Sequence, residues 1–109
     1  MGRRRPDPAG DGTGDGTGAA PPRSRAERII ERVGAIPEGF VRTYGDIDPG
    51  APRLVGHVLA TTRTPVPWHR VVRADGSVPM GRRQLDLLRR EGVPLRAGRV
   101  DLRAARLPG

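Results

Sequence analysis

Pro65-Val66-Pro67-Trp68-His69-Arg70-Val71-Val72 separates a helical pattern on its amino-terminal side from an extended, turn-containing pattern on its carboxyl side. Two prolines at alternate positions hold the backbone extended, because each fixes its own φ and pushes the preceding residue out of the helical region. The only Trp in the chain is therefore presented from a stiff segment, beside a His and an Arg. That combination suits a pocket for a stacked base; it equally suits a core anchor, the commoner use of a large aromatic.

Upstream, Pro52 is a good first-turn residue, and the spacing predicts a helix from there to about Thr61. Leu54, Val55, Val58 and Leu59 form its apolar stripe, which leaves Arg53, Gly56, His57 and Ala60 on the opposite face. This second face is small and basic, and it fits a helix laid in a DNA groove or a solvated face that happens to carry a Gly. Further back, Ser24-Arg25-Ala26-Glu27 has capping-box spacing and opens a helix with Ala26, Ile29, Ile30 and Val33 on one side. Pro37-Glu38-Gly39 is expected to end that helix. Phe40 to Gly45 reads as a brief extended segment before a new helical entry near Asp46.

Downstream, Val71 to Val78 reads as two short strands around the Asp75-Gly76 turn, a hairpin that would set the 73–77 backbone beside Trp68. A last helix is expected over Arg82 to Glu91, with Leu85 and Leu88 inward and Gly92 as its cap. Leu95 to Leu102 reads as a second small hairpin, with Val100 and Leu102 on one face. The predicted fold is mostly α with small β hairpins, a winged helix-turn-helix. Such a scaffold is normally a nucleic-acid reader, although fold alone does not settle function.

The bulk composition agrees. All 20 basic residues are Arg against 12 acids, and a net charge of +8 on 109 residues favours a polyanionic partner. Zero Cys excludes a disulfide framework and a thiol nucleophile. No apolar run approaches the roughly 20 residues that span a bilayer, so no membrane role is expected, and Arg3-Arg4-Arg5 lacks the apolar run of a secretory signal. Residues 1–23 are expected to be a disordered Gly/Pro-rich tail and residues 24–109 one domain. The paired Asp-Gly-Thr-Gly copies at 11–18 lack the strand, Lys or bidentate Glu of a phosphate or calcium loop. No cofactor is expected.

Several ordered motifs resemble those of the O6-alkylguanine-DNA alkyltransferases. Pro67 to Val71 is similar to the family's Pro-Cys-His-Arg-Val signature, with Trp68 where the acceptor Cys stands, a replacement that marks the alkyltransferase-like branch. Ile36-Pro37-Glu38-Gly39-Phe40-Val41-Arg42-Thr43-Tyr44-Gly45-Asp46-Ile47 resembles Ile-Pro-x-Gly-x-Val-x-Thr-Tyr-Gly-x-Ile, and Arg53-Leu54-Val55-Gly56 resembles the Arg-x-Val-Gly of the recognition helix. Glu91-Gly92-Val93 with Gly98 to Leu102 is similar to the carboxyl end of the alkyltransferase-like branch.

The resemblance implies that Tyr44 rotates the target phosphate, Arg53 fills the gap left by an extruded base, Leu59 lines the lesion pocket, and backbone groups of the 72–77 loop contact the flipped base. The DNA- or lesion-binding candidates are thus Tyr44, Arg53, Gly56, Leu59, Trp68, His69, Arg70, Val72 and Ser77. The stretch between Tyr44 and Arg53 is shorter than the family usually has, so the first helix of the helix-turn-helix is expected to be about one turn. Thr61-Thr62-Arg63 stands where the family carries an Asn.

Alkyl transfer needs a thiolate, and an indole carries no comparable nucleophile. His69, in the base position, has nothing to activate. The expectation is a non-enzymatic monomer, cytoplasmic and nucleoid-associated. It would bind and flip O6-alkylguanine in duplex DNA and mark it for nucleotide excision repair proteins. A winged-helix regulator without lesion specificity is the alternative, and hydrolysis by His69 with Asp75 or Asp46 is a third reading.

Overall fold

The computed structural model describes residues 23–108. The expected tail, with both Asp-Gly-Thr-Gly copies, lies outside the described residues apart from Arg23.

Helix α1 (Arg25–Gly34) starts where its cap predicts: Ser24 Oγ accepts the Glu27 amide at 3.1 Å, and Glu27 Oε1 accepts the Ser24 amide at 2.8 Å. Its Ile29 and Val33 are buried, with Ala26 and Ile30 packed beside them. It ends at Gly34, ahead of the Pro37 turn. Strand β1 (Arg42–Thr43) then runs directly into helix α2 (Tyr44–Ile47).

Entry into α2 comes two residues before the expected point near Asp46. Thr43 is the cap, its Oγ1 accepting the Asp46 amide at 3.1 Å while Asp46 Oδ2 accepts the Thr43 amide at 3.0 Å. Asp46 is therefore the third residue of the turn, and Tyr44 is its first. The same Ser/Thr-x-x-acid spacing that marks Ser24 would have located it.

Helix α3 (Pro52–Thr61) occupies the predicted span and packs on α1 and α2. A single 3₁₀ turn at Trp68–Arg70 follows, then strand β2 (Val71–Val72). β2 does not form the expected hairpin with the Val78 limb. It lies parallel to β1, with Arg42 opposite Val71 and Thr43 opposite Val72. Both valines are 0% exposed, Val71 in the cluster with Ile29, Val33, Ile36, Ile47, Val55 and Val58, and Val72 in one with Val41, Leu88, Val93, Val100 and Ala105. Alternate side chains of a strand point to opposite faces, so this short ladder is the wall between two halves of the core.

The 73–77 turn still forms, closed by the Gly76 amide on Arg73 O at 2.8 Å and the Arg73 amide on Ser77 O at 3.0 Å, and it is tied to the wing as well, where Gly76 O accepts the Val100 amide at 2.9 Å. Helix α4 (Gly81–Arg90) ends as predicted, with Gly92 at φ 79°, its amide on Arg89 O and the Val93 amide on Leu88 O. Strands β3 (Leu95–Arg96) and β4 (Arg99–Val100) are the antiparallel wing, as expected. Leu102 does not continue that ribbon. Asp101 caps a one-turn helix, α5 (Leu102–Ala105), after which Leu107 N–H donates to Val41 O at 2.9 Å and closes the carboxyl end against β1.

The architecture is a small helical domain with short strands, the winged helix-turn-helix expected. The shortened α2 is four residues long.

Candidate nucleic-acid interface

A cavity of about 530 Å³ opens between α2, α3, the Trp68 turn and the start of α4. From α3 come Gly56, Leu59 and Ala60, from α2 Tyr44, from the 3₁₀ turn Trp68, from the following loop Pro79 and Met80, and from α4 Arg83 and Gln84. A Cβ at Gly56 would sit 3.9 Å from Tyr44 Cε1, so the glycine leaves the space between helix and phenol ring open. Burial pushes the Tyr44 pKa up, partly opposed by the charge of Arg73, so the phenol stays neutral and able to donate a hydrogen bond.

Trp68 is half-buried, with the His69 ring edge-on at 5.8 Å and the Arg83 guanidinium carbon 5.5 Å from its centroid. The turn that carries it is braced from behind. Gln84 is 0% exposed; its Nε2 donates to His69 O at 3.0 Å and Val71 O at 2.9 Å, and its Oε1 accepts the Met80 amide at 3.1 Å. One amide side chain thus ties the two facing walls of the cavity, Trp68 and Met80. It bonds three backbone groups, as a buried amide side chain must.

Arg53 and His57 are exposed, and with Gly56 and Ala60 they follow the i, i+3, i+4, i+7 spacing of one helix face. Since Gly56 and Ala60 line the cavity, that face runs past its mouth. Arg53 itself does not line it. Among the described residues, no carboxylate pairs with Arg53, Arg63, Arg73, Arg82 or Arg83.

Four sequence candidates fall away from this cavity. His69 Nε2 lies 2.9 Å from Glu91 Oε2, and Arg70 holds the same carboxylate through Nε at 2.9 Å and Nη2 at 2.7 Å. Arg70 Nη1 also donates to Ile36 O at 2.8 Å, so both side chains are engaged in holding the turn to α4 and α1's exit. Val72 is buried in the core, and Ser77 lines a different cleft of about 710 Å³, between α4 and the wing. None of residues 73–77 lines the Trp68 cavity, whose loop side is formed by Pro79 and Met80, and the Gly76–Val100 bond ties the turn to the wing.

Neither Asp46 nor Asp75 meets His69. Asp46 accepts a bidentate pair from Arg106, at 2.9 and 2.6 Å, and Asp75 accepts from Ser77 at 2.9 Å and Arg99 at 3.4 Å. The hydrolytic arrangement is absent among the described residues.

Residues 24–93 match the family model for the DNA-binding domain of 6-O-methylguanine DNA methyltransferase. The chain is 42% identical over 94 residues to the DNA base-flipping protein of Escherichia coli strain K12, covering 73% of this chain and 71% of that protein. It is 35% identical over 81 residues to alkyltransferase-like protein 1 of Schizosaccharomyces pombe, covering 62% and 75%. The chain belongs to this family, in its alkyltransferase-like branch. The fold agrees: a crystal structure of S. pombe Atl1 in complex with damaged DNA containing O6-carboxymethylguanine superposes with a TM-score of 0.69 at 28% identity, over 78% of this chain and 95% of that one.

For this alkyltransferase-like chain the absence of Cys means that no thiol stands beside the His69–Glu91 pair. Sequence reading missed Gln84 and Glu91 as site residues. Gln84 sits at the buried-stripe position one turn before Leu88, where a polar residue must find partners, and that position was the available signal. Glu91 gives no local signal, because its partners lie 21 and 22 residues away.

Proposed function

We propose that the protein is a non-enzymatic sensor that binds duplex DNA, flips O6-alkylguanine into the Trp68 cavity and marks the site for nucleotide excision repair. One observation carries this reading: a largely apolar cavity with an indole wall opens along the same α3 face that carries Arg53. Arg53 enters the gap in the base stack, and the basic face holds the backbone. Unstacking a base costs a few kcal/mol, offset by stacking in the pocket and by phosphate contacts. The O6-alkyl carbon gains roughly 0.8 kcal/mol per buried CH₂ against an apolar wall. Trp68 stands where a thiol would be needed for alkyl transfer, so the adduct leaves unchanged. The relatives' printed names, a base-flipping protein and an Atl1 bound to damaged DNA, support the reading. The protein acts as a cytoplasmic monomer.

The test is equilibrium binding to two otherwise identical duplexes, one with O6-methylguanine and one with guanine, at near-physiological salt. Preference for the lesion is expected. Equal affinity would leave a basic winged-helix DNA binder and overturn the sensor reading.

A further inference from the structure

Helix α4 has a second face that the core does not use. The sequence places Leu85 inward with Leu88, but the residues that α4 buries are Gln84 and Leu88. Leu85 is half-buried, joins neither core cluster and lines the cleft of about 710 Å³ between α4 and the wing. Arg82, Leu85, Asp86 and Arg89 follow the i, i+3, i+4, i+7 spacing of one helix face, and all four line this cleft. Arg82 and Arg89 stand about 10 Å apart along the axis, one on each side of Leu85. Arg99 lines the cleft from the wing.

Three guanidiniums thus surround an apolar centre, to which Val78 also contributes. Arg82 has no carboxylate partner among the described residues. Arg89 pairs with Asp86 at 3.1 Å and Arg99 with Asp75 at 3.4 Å, but these are exposed pairs, weak enough to exchange with an incoming carboxylate. Charge of this sign selects an anion, and the apolar centre selects one that carries an apolar group between its charges. A polypeptide offers that pattern. A phosphodiester backbone brings charge but nothing to cover Leu85 and Val78. Arginine forks take carboxylates through paired charge-assisted hydrogen bonds.

We propose that the cleft between α4 and the wing docks an acidic segment of a partner protein, with an apolar side chain seated on Leu85 and flanking carboxylates on Arg82, Arg89 and Arg99. This goes beyond the sensor reading and does not rest on it, because the cleft shares no lining residue with the Trp68 cavity and peptide binding involves no lesion.

The probe is a fluorescein-labelled peptide, Gly-Asp-Glu-Leu-Asp-Glu-Gly, titrated with the full chain at near-physiological salt and read by anisotropy. A second peptide with Ser in place of Leu carries the same charge. Arg82→Gln with Arg89→Gln removes two charges from the cleft, and Arg28→Gln with Arg63→Gln removes two outside it. The cleft variant should bind the Leu peptide about tenfold more weakly than the native chain, and the outside variant within about twofold. The native chain should bind the Ser peptide about fivefold more weakly than the Leu peptide. All four arginines are exposed, so both variants should keep the native melting temperature. Amide shifts of the native chain on adding the Leu peptide, expected at Ser77, Gly81 and Gly98, locate the site without any substitution.

No binding by the native chain, or shifts confined to residues outside the cleft, would overturn the proposal. Equal losses in the two variants would reduce the binding to net charge, and equal affinity for the two peptides would remove the apolar seat; either result overturns it. A cleft variant that keeps the peptide but loses guanine-duplex affinity tenfold would make the cleft a DNA contact instead.

Discussion

Glu91 Oε2 lies 2.9 Å from His69 Nε2, and the carboxylate closes on Arg70 as well, so the end of α4 is fastened to the turn that presents Trp68. The same carboxylate holds the His69 imidazole and the Arg70 guanidinium, and the chain has no Cys to stand beside them. This geometry serves the position of the indole.

The hydrogen bonds from Arg70, then from His69, hold the Glu91 carboxyl down to about 2, from an ordinary 4.5, against the opposing effect of burial. Arg106 does the same for Asp46, also to about 2. A depressed carboxyl stabilises the fold fully above its unfolded pKa and loses that contribution as pH falls through the folded one. The melting temperature should therefore be flat from pH 7 to about 5 and fall between about 5 and 2. Glu91→Gln should flatten part of that acid limb; an identical limb in the variant would show that Glu91 does not contribute to it.

Gln84→Leu keeps volume but strands the Met80 amide and two carbonyls. A loss of roughly 2–4 kcal/mol in urea unfolding is expected, with the slope unchanged. A loss under about 0.5 kcal/mol would mean that water replaces the side chain.

Trp68→Ala should weaken binding to an O6-alkylguanine duplex by the roughly 1–3 kcal/mol of a base–aromatic stack, and binding to undamaged duplex far less. Parallel losses on both duplexes would make Trp68 a packing residue only.

Arg53 is exposed and has no described carboxylate partner, so Arg53→Ala should leave the melting temperature within about a degree and lower DNA affinity. A melted variant would contradict a role at the DNA surface.

At Gly76 the backbone is at φ +83°, and a Cβ there would stand 2.4 Å from Val100 O. Gly76→Ala should therefore cost about 2 kcal/mol or more, through strain and through separation of the 73–77 turn from the wing. Chemical denaturation measures it directly. A neutral substitution would show that the turn moves freely.

What could be read in the sequence is what its own neighbours decide. The Ser24 capping box, the α3 span, the Gly92 end of α4 and the β3–β4 wing close their hydrogen bonds within a few residues, so local spacing names them. The chemistry excluded by the lack of Cys is likewise a property of the chain alone. The Asp75-Gly76 signal was local too, yet it misled beyond the turn, since a turn does not choose the partners of the strands it joins. Val71 and Val72 pair with a strand 29 residues upstream because only there can one side chain enter each half of the core. Likewise Gln84 behind Trp68, Glu91 on His69 and Arg83 over the indole join residues distant in the chain. Tertiary structure alone decided them, because burial and unsatisfied polar groups are set by how helices and strands pack, and no local spacing records that.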